Sequence, residues 1–458
     1  MDSAIIKRIL HGLGANAYGQ VVIVIIQLAS VPILLHYWGV TLYGEWMILF
    51  AVPAYLSMTD LGFSLSAAND MTARMARGDT AGTLVVFQSL SALVYSVALA
   101  GLAISALLIA TLPIQDWLHF TELPISDVRW VLWLLAAEVL IKLADGVNHA
   151  GFRANGEYPL HVGIYYTALL VQQSGVWLAA AFGHGLLVAA AWFFAVRVLV
   201  TPSVAVLLFH RHRSLKPGFA HARLTELRAL AQPALANVAM PLAQALNIQG
   251  MVLVVGTALG PAAVVTFSVL RTLTRLALQM VLSVSHAVEP ELARAWGAQD
   301  MSLLRGLYAH SLRAGFWLAL IVAMALHFMG GWIVLLWTHG KVRIDTQLFD
   351  WLLLSAVASV FWYNGLNLLK AANRHLRPAV WYVISSLLAV MVAMLLLRTT
   401  GILSDAGLAL LLMDALMTVY LLRQASALVR LPVAAMLGAM LDIRPYLKRL
   451  MTRSTHAL

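Results

Sequence analysis

Along this chain, apolar runs of 20 or more residues alternate with short polar breaks rich in glycine, proline and basic residues. A run of that length crosses a hydrocarbon core of about 30 Å as a helix. The pattern predicts twelve spans, at 15–36, 45–69, 83–112, 129–151, 160–182, 186–209, 230–256, 263–289, 306–335, 347–370, 378–398 and 402–422. Tight turns such as "FGHGL" and "LGPAA" join some of them, and polar loops such as "RHRSLKPGFAHARLTELR" join others. Polar residues inside the spans are few and patterned. Asn16, Gln20, Gln27 and Ser30 share one face of the first span, and Asn237, Gln244 and Asn247 repeat most of that stripe on the seventh. The first residues carry a basic pair and no small-residue cleavage site. They predict a short interfacial helix ahead of an uncleaved first span.

Composition agrees with a polytopic membrane protein: 61% of the 458 residues are hydrophobic, 11% are charged, and the mean hydropathy is +0.84. No stretch is left for a separate soluble domain, and no large loop carries a nucleotide or acid–base site, so an enzyme is not expected. The absence of cysteine excludes disulfides, thiolate metal sites and thiol catalysis. The 15 histidines show no metal-ligand spacing. The formal charge of +10 reads as topology. Of the 30 Lys and Arg residues, only Arg129, Lys341, Arg343 and Arg398 fall in the loops after odd-numbered spans or at the span ends beside them, and Lys142, Arg197, Arg271 and Arg275 lie deep inside spans, with Arg313 and Lys370 nearer the opposite ends of theirs. All the others gather on the opposite side, which the positive-inside rule assigns to the cytoplasm with both termini. No nucleic-acid partner is needed to explain them.

The two halves of the chain echo each other at an offset of about 217–220 positions. "DGVNHAGFRANGEYP" (145–159) lies over "NGLNLLKAANRHLRP" (364–378), and "ARMARGD" (73–79) over "ARAWGAQD" (293–300). Six spans per half is an even number, so both halves enter the membrane from one side and the repeat is parallel, a plan that places a substrate site between lobes. The predicted organisation is an interfacial segment at 1–14, an N-terminal six-helix lobe at 15–212, a cytoplasmic linker at 213–229, a C-terminal six-helix lobe at 230–425 and a cytoplasmic amphipathic tail at 426–458.

The stretch "VPILLHYWGVTLYGEWMILFAVPAYLSMTDLGFSLSAANDMTARMARGD" (31–79) resembles the start of Wzx-type oligosaccharide flippases of the MATE-like (MOP) superfamily. The Leu-Tyr-Gly-Glu turn, the Asp-Leu-Gly in the second span and the basic turn after it carry the likeness. The twelve spans, two lobes and the "FRANGEYP" loop extend it over essentially the whole chain. The resemblance implies a flippase of the bacterial inner membrane. Its cargo would be an undecaprenyl-pyrophosphate-linked oligosaccharide for O-antigen or exopolysaccharide synthesis, carried by alternating access without a cofactor beyond a coupling H+ or Na+. Membrane lipids and other glycan-assembly membrane proteins are its implied partners. Relatives with the same plan export drugs by cation antiport, which keeps a cation-coupled exporter of small amphipathic molecules as the alternative.

A charge at the membrane centre costs about 2.5–3.5 kcal/mol on insertion scales, so each should face protein or water. Arg271 and Arg275 lie one turn apart on one face and suit a pyrophosphate, because each guanidinium donates paired hydrogen bonds to phosphate oxygens; the competing reading pairs them with Asp60 or Asp414. Glu138, Lys142 and Asp145 are spaced to neutralise one another within a helix, with Lys142 also available to a substrate phosphate. Asp60 and Asp414 are candidates for ion coupling or for counter-ions. Asn16, Gln20, Gln27, Asn237, Gln244 and Asn247 either face sugar hydroxyls or join helices to each other. Arg74, Arg77 and Arg294 are either solvated topology residues or a cytoplasmic gate closing on acids such as Glu157 or Glu289.

Overall fold

The computed structural model describes residues 3–58, 62–114, 120 and 122–441. They form helices and turns, with no strand among them. The first half contains α1 (Ser3–Ala54), α2 (Phe63–Ala76), α3 (Thr80–Thr111), α4 (Ile125–Ala154), α5 (Tyr158–Ala181) and α6 (Leu186–Arg211). The second half contains α7 (Leu224–Ala245), α8 (Met251–Leu259), α9 (Pro261–Gly297), α10 (Met301–Trp337), α11 (Thr346–Ala371), α12 (Leu376–Thr400) and α13 (Ser404–Val429), then a short α14 (Val433–Leu441). A π-helical turn, Leu246–Gly250, joins α7 to α8. Among the described residues nine stretches are long and apolar enough to cross a membrane. The first of these, Gly14–Ser57, is broken at Gly39 into two legs. The more polar α4 and α5, of 30 and 24 residues, bring the spans to the expected twelve.

The repeat extends to backbone conformation. Gly39 and Gly260 each turn the chain between two spans with positive φ and extended ψ, at 72°/−176° and 85°/178°. The basic turns also match: Gly78 and Gln299 are left-handed. The amides of Asp79 and Asp300 reach back five residues to Arg74 O and Ala295 O, both at 3.0 Å. Each aspartate then caps the next helix, accepting from Gly82 N at 2.8 Å or Leu303 N at 2.9 Å. The turns Gly156–Glu157 and Asn373–Arg374 repeat the same five-residue reach, to Phe152 O at 2.9 Å and Leu369 O at 2.8 Å. The chain is thus an all-α polytopic membrane protein of two six-span halves in parallel repeat.

By contacts the chain divides into unit 1 (Met1–Val265 with Trp337–Val342) and unit 2 (Thr266–Leu336 with Arg343–Leu458). Unit 1 has its main core where α2, α3, α4 and α6 meet, around Met71, Phe87, Leu140 and Leu208. It also takes in α7 and α8. Asn237 on α7 donates to Ser66 Oγ at 3.0 Å, and a Cβ at Gly62 would meet Ala234 O at 2.6 Å. Unit 2 packs through small residues, with Gly315 against Val360, Gly330 against Phe349 and Gly407 against Leu348 and Trp351. Close backbone approach of this kind is the usual source of helix cohesion in lipid.

The second span departs from the expected continuous helix 45–69. Helix α1 ends at Ala54 and passes into a 3-10 turn, Tyr55–Met58; helix resumes at Phe63 after Gly62 in the left-handed region, φ 75°. Only glycine takes that conformation without strain. Asp60 lies outside the described residues. The Leu-Tyr-Gly-Glu motif has a packing role: Tyr43 and Glu45 are buried, Glu45 Oε1 accepts from Glu122 N at 3.0 Å, and Gly44 abuts the Pro261 carbonyl. At the other end of the chain, Trp317 Nε1 donates to Met440 O at 3.2 Å, holding α14 to α10. The part of the expected tail beyond residue 441 lies outside the described residues.

Candidate functional site

Unit 1 holds a closed polar cluster. Arg197 on α6 is 1% exposed, and its three guanidinium nitrogens are all committed. Nε donates to Glu138 Oε1 at 2.8 Å, Nη1 to Asp145 Oδ2 at 2.9 Å and Nη2 to Gln172 Oε1 at 2.9 Å. Gln172 Nε2 closes the ring by donating to Glu138 Oε1 at 3.0 Å and to Phe193 O at 2.8 Å. The expected neutralisation of Glu138 and Asp145 by Lys142 within α4 therefore gives way to a bridge from α6. A planar fork satisfies two carboxylates and an amide at once, which a lysine ammonium on the same helix does less well. Lys142 instead sits over the Tyr165 ring, 5.5 Å from its centroid.

Unit 2 holds an unbalanced one. Asp414 on α13 is 3% exposed and accepts from Trp362 Nε1 at 2.8 Å and from the Ser355 hydroxyl, both on α11. Trp362 stacks on Tyr363 at 3.8 Å and lies 5.0 Å from Tyr382. Arg271 on α9 is 8% exposed, lies 5.4 Å from the Phe267 ring and interacts electrostatically with Asp414, Tyr382 and Arg275. Arg275, half-buried, also faces Tyr363 and Tyr382 and makes no ion pair among the described residues. Two guanidinium groups thus lie one turn apart, and an apolar surrounding magnifies the repulsion between them.

The clusters occupy equivalent positions. Glu138, Asp145 and Arg197 recur 217 positions later as Ser355, Trp362 and Asp414. In the first half a cation on α6 is held by two acceptors on α4; in the second an anion on α13 is held by two donors on α11. The helix pair is stapled at the same two levels with polarity reversed. Arg197 stood out in the sequence as an intramembrane charge without a role, and Gln172, Ser355 and Trp362 did not stand out at all. The offset of 217 linking both triads is the signal that finds them.

No family model matches the chain, and no curated protein matches it significantly. Solved structures do match. A multidrug resistance MATE-family transporter of the MOP superfamily, in an inward-facing conformation, has a TM-score of 0.69 at 14% identity, over 90% of this chain and 98% of that one. The lipid II flippase MurJ, in an inward closed conformation, has a TM-score of 0.71 at 12% identity, over 94% of this chain and 90% of that one. The chain shares its fold with these two structures. These neighbours are transporters and flippases, and at such identities they speak for the architecture alone.

Within this fold the other predicted residues are dispersed. On α1, Asn16 Oδ1 accepts from the Tyr158 hydroxyl at 3.0 Å, Ser30 Oγ accepts from Trp177 Nε1 at 3.1 Å, Gln20 is exposed and Gln27 half-buried. On the seventh span Asn237 holds Ser66, Gln244 is exposed, and Asn247 lies in the π-helical turn. The stripe is thus partly helix-joining and partly open. Of the basic-turn arginines, Arg294 is held within its own helix, and Arg74 both within α2 and by Glu226 of α7. Arg74 pairs with Asp70 at 2.8 Å and Glu226 at 2.7 Å, and Arg294 with Glu291 at 2.6 Å, while Arg77 is exposed. Glu157, one acid expected to face a gate arginine, is taken by Arg211 at 2.6 Å and His212 at 2.9 Å. Those bonds, the Arg211 one foremost, hold its carboxyl below the usual range.

Proposed function

We propose that this chain is a flippase for a lipid-linked, pyrophosphate-bearing oligosaccharide, carrying it from the inner to the outer leaflet of the bacterial inner membrane by alternating access. The observation that carries this reading is the unit 2 cluster, where Arg275, one turn from the buried Arg271, makes no ion pair among the described residues. A half-buried guanidinium of this kind is stabilised by an anion from outside the chain, and a pyrophosphate accepts its paired donors. Lys142 is a further cation for the head group. In this reading undecaprenyl is the lipid, O-antigen or exopolysaccharide the product, other glycan-assembly membrane proteins the partners, and Asp414 or Asp60 the site where H+ or Na+ couples transport.

The competing reading, a cation-coupled exporter of small amphipathic molecules, is favoured by the likeness to a multidrug MATE transporter and by the buried Asp414. Its weakness is the pair Arg271 and Arg275, one turn apart, which repels a cationic cargo. Expression in strains lacking an O-antigen or exopolysaccharide flippase separates the two. The flippase reading expects restored surface glycan; failure across such a panel, with newly gained dye or drug resistance, selects the exporter.

A further inference from the structure

The corner where α11 passes into α12 encloses a pocket of about 480 Å³ in unit 2. Arg374, Arg377 and Gln424 are exposed at its rim, and Leu369, Pro378 and Leu428 are buried at its floor. Neither arginine has a carboxylate partner among the described residues; Arg374 stands over the Trp296 ring at 5.9 Å. The equivalent corner of the first half is closed. There Glu157 stands 217 positions before Arg374, in the same turn, and Arg211 stands 217 before Leu428. The two pair at 2.6 Å with His212 added at 2.9 Å, filling the corner with the chain's own ion pair. In the second half the acid is an arginine and its basic partner a leucine, so the same corner is open, cationic and apolar at its base.

The surroundings name the ligand class. From the pocket's Leu376 an exposed apolar row, Val380, Ile384, Leu388, Met391 and Leu395, follows one face of α12 along its length. Trp381 and Tyr420, rings 5.4 Å apart, flank the pocket as interface aromatics do. Cationic rim, aromatic belt and apolar track lie in the order of a phosphate, a glycerol ester and an acyl chain. We propose that this corner binds the phosphate headgroup of an anionic phospholipid in the leaflet on the basic side, with an acyl chain lying along α12. The proposal does not depend on what the chain transports.

The test is native mass spectrometry of the purified full chain after exposure to phosphatidylglycerol, phosphatidylcholine or inorganic phosphate. The parent protein retains phosphatidylglycerol in preference to phosphatidylcholine. Arg374→Gln and Arg377→Gln each lower retention about fivefold and the double variant about twentyfold, as expected for the loss of surface arginines facing anionic lipid. Arg374→Glu, which gives this corner the first half's acid, abolishes retention. Both arginines are exposed, so melting temperatures stay at the parent value. Undiminished retention in the double variant, equal retention of phosphatidylcholine, or displacement of the lipid by millimolar inorganic phosphate overturns the proposal.

Discussion

Two buried clusters at equivalent positions of the repeat differ in how their charges close. In the first half Arg197 bonds two carboxylates and an amide, and Lys142 on α4 acts electrostatically on both carboxylates, so two cations stand with two anions. In the second, Asp414 meets the neutral donors Trp362 and Ser355 with Arg271 nearby, and Arg275 makes no ion pair among the described residues. The α11–α12 corner repeats the contrast, with Glu157 taken by Arg211 and His212 while Arg374 and Arg377 have no acid partner among the described residues. The difference teaches which charges hold the fold and which are open to a ligand. A closed cluster stabilises helix packing, whereas an open cationic one stays costly until an anion arrives.

The largest expected effect breaks the closed side. Arg197→Met leaves Glu138 and Asp145 buried without their cation and destabilises the protein by about 3–5 kcal/mol, read as a fall in melting temperature in detergent. Adding Glu138→Gln and Asp145→Asn recovers much of the loss. Asp414→Asn, whose amide oxygen still accepts from Ser355 or Trp362, costs about 1 kcal/mol. Equal losses at the two sites erase the distinction.

The open side responds in transport. Arg275→Gln removes a charge with no ion-pair partner among the described residues, so folding holds within about 1 kcal/mol. Translocation of a pyrophosphate-linked glycan falls about 10- to 100-fold, the value of one charge-assisted hydrogen-bonding group. A smaller effect separates the two second spans of the repeat. The first half's is interrupted at Gly62, whereas α9 runs unbroken over 37 residues. Gly62→Ala places a Cβ at positive φ and 2.6 Å from Ala234 O, costing about 1–3 kcal/mol. Ser283→Ala, at the matching position inside α9, leaves stability within about 0.5 kcal/mol of the parent.

The smallest effect is pH-dependent. The Glu157 carboxyl is held below its usual range by Arg211 and His212. Its contribution is therefore fully present at neutral pH, declines as pH falls below the ordinary glutamate value of about 4.3, and is lost once pH passes its depressed folded value. Hydrogen-exchange protection of the α4–α5 corner weakens over that window. The α11–α12 corner, with Arg374 in place of the acid, shows no matching loss, and parallel behaviour of the two corners contradicts the assignment.

Much of the architecture was legible in the sequence because membrane spans announce themselves by length and hydropathy. The halves also repeat polar and turn residues at a nearly constant offset. Gly39 and Gly260, and Asp79 and Asp300, match at an offset of 221, one beyond the range read from the sequence, while the Gly156–Glu157 and Asn373–Arg374 turns match at 217, two short of the sequence overlay of 145–159 on 364–378. The pairing of charges was less legible. Glu138, Lys142 and Asp145 are neighbours on one helix, and spacing alone favours pairs among them. The competitor, Arg197, lies 52 positions beyond Asp145 and reaches them only through the packing of α6 on α4. The interruption of the second span was hidden for a similar reason, since apolar residues flank Gly62 in the sequence; the close approach of Ala234 on α7, which leaves no room for a Cβ, appears only in the packing.

The most direct test of the account measures stability and translocation together in reconstituted vesicles, using a fluorescent polyprenyl-pyrophosphate oligosaccharide and comparing Arg275→Gln with the parent. The account predicts a melting temperature near the parent's and translocation per folded molecule reduced about 10- to 100-fold. Parent-level translocation by that variant, or a collapse in stability with activity per folded molecule preserved, contradicts it.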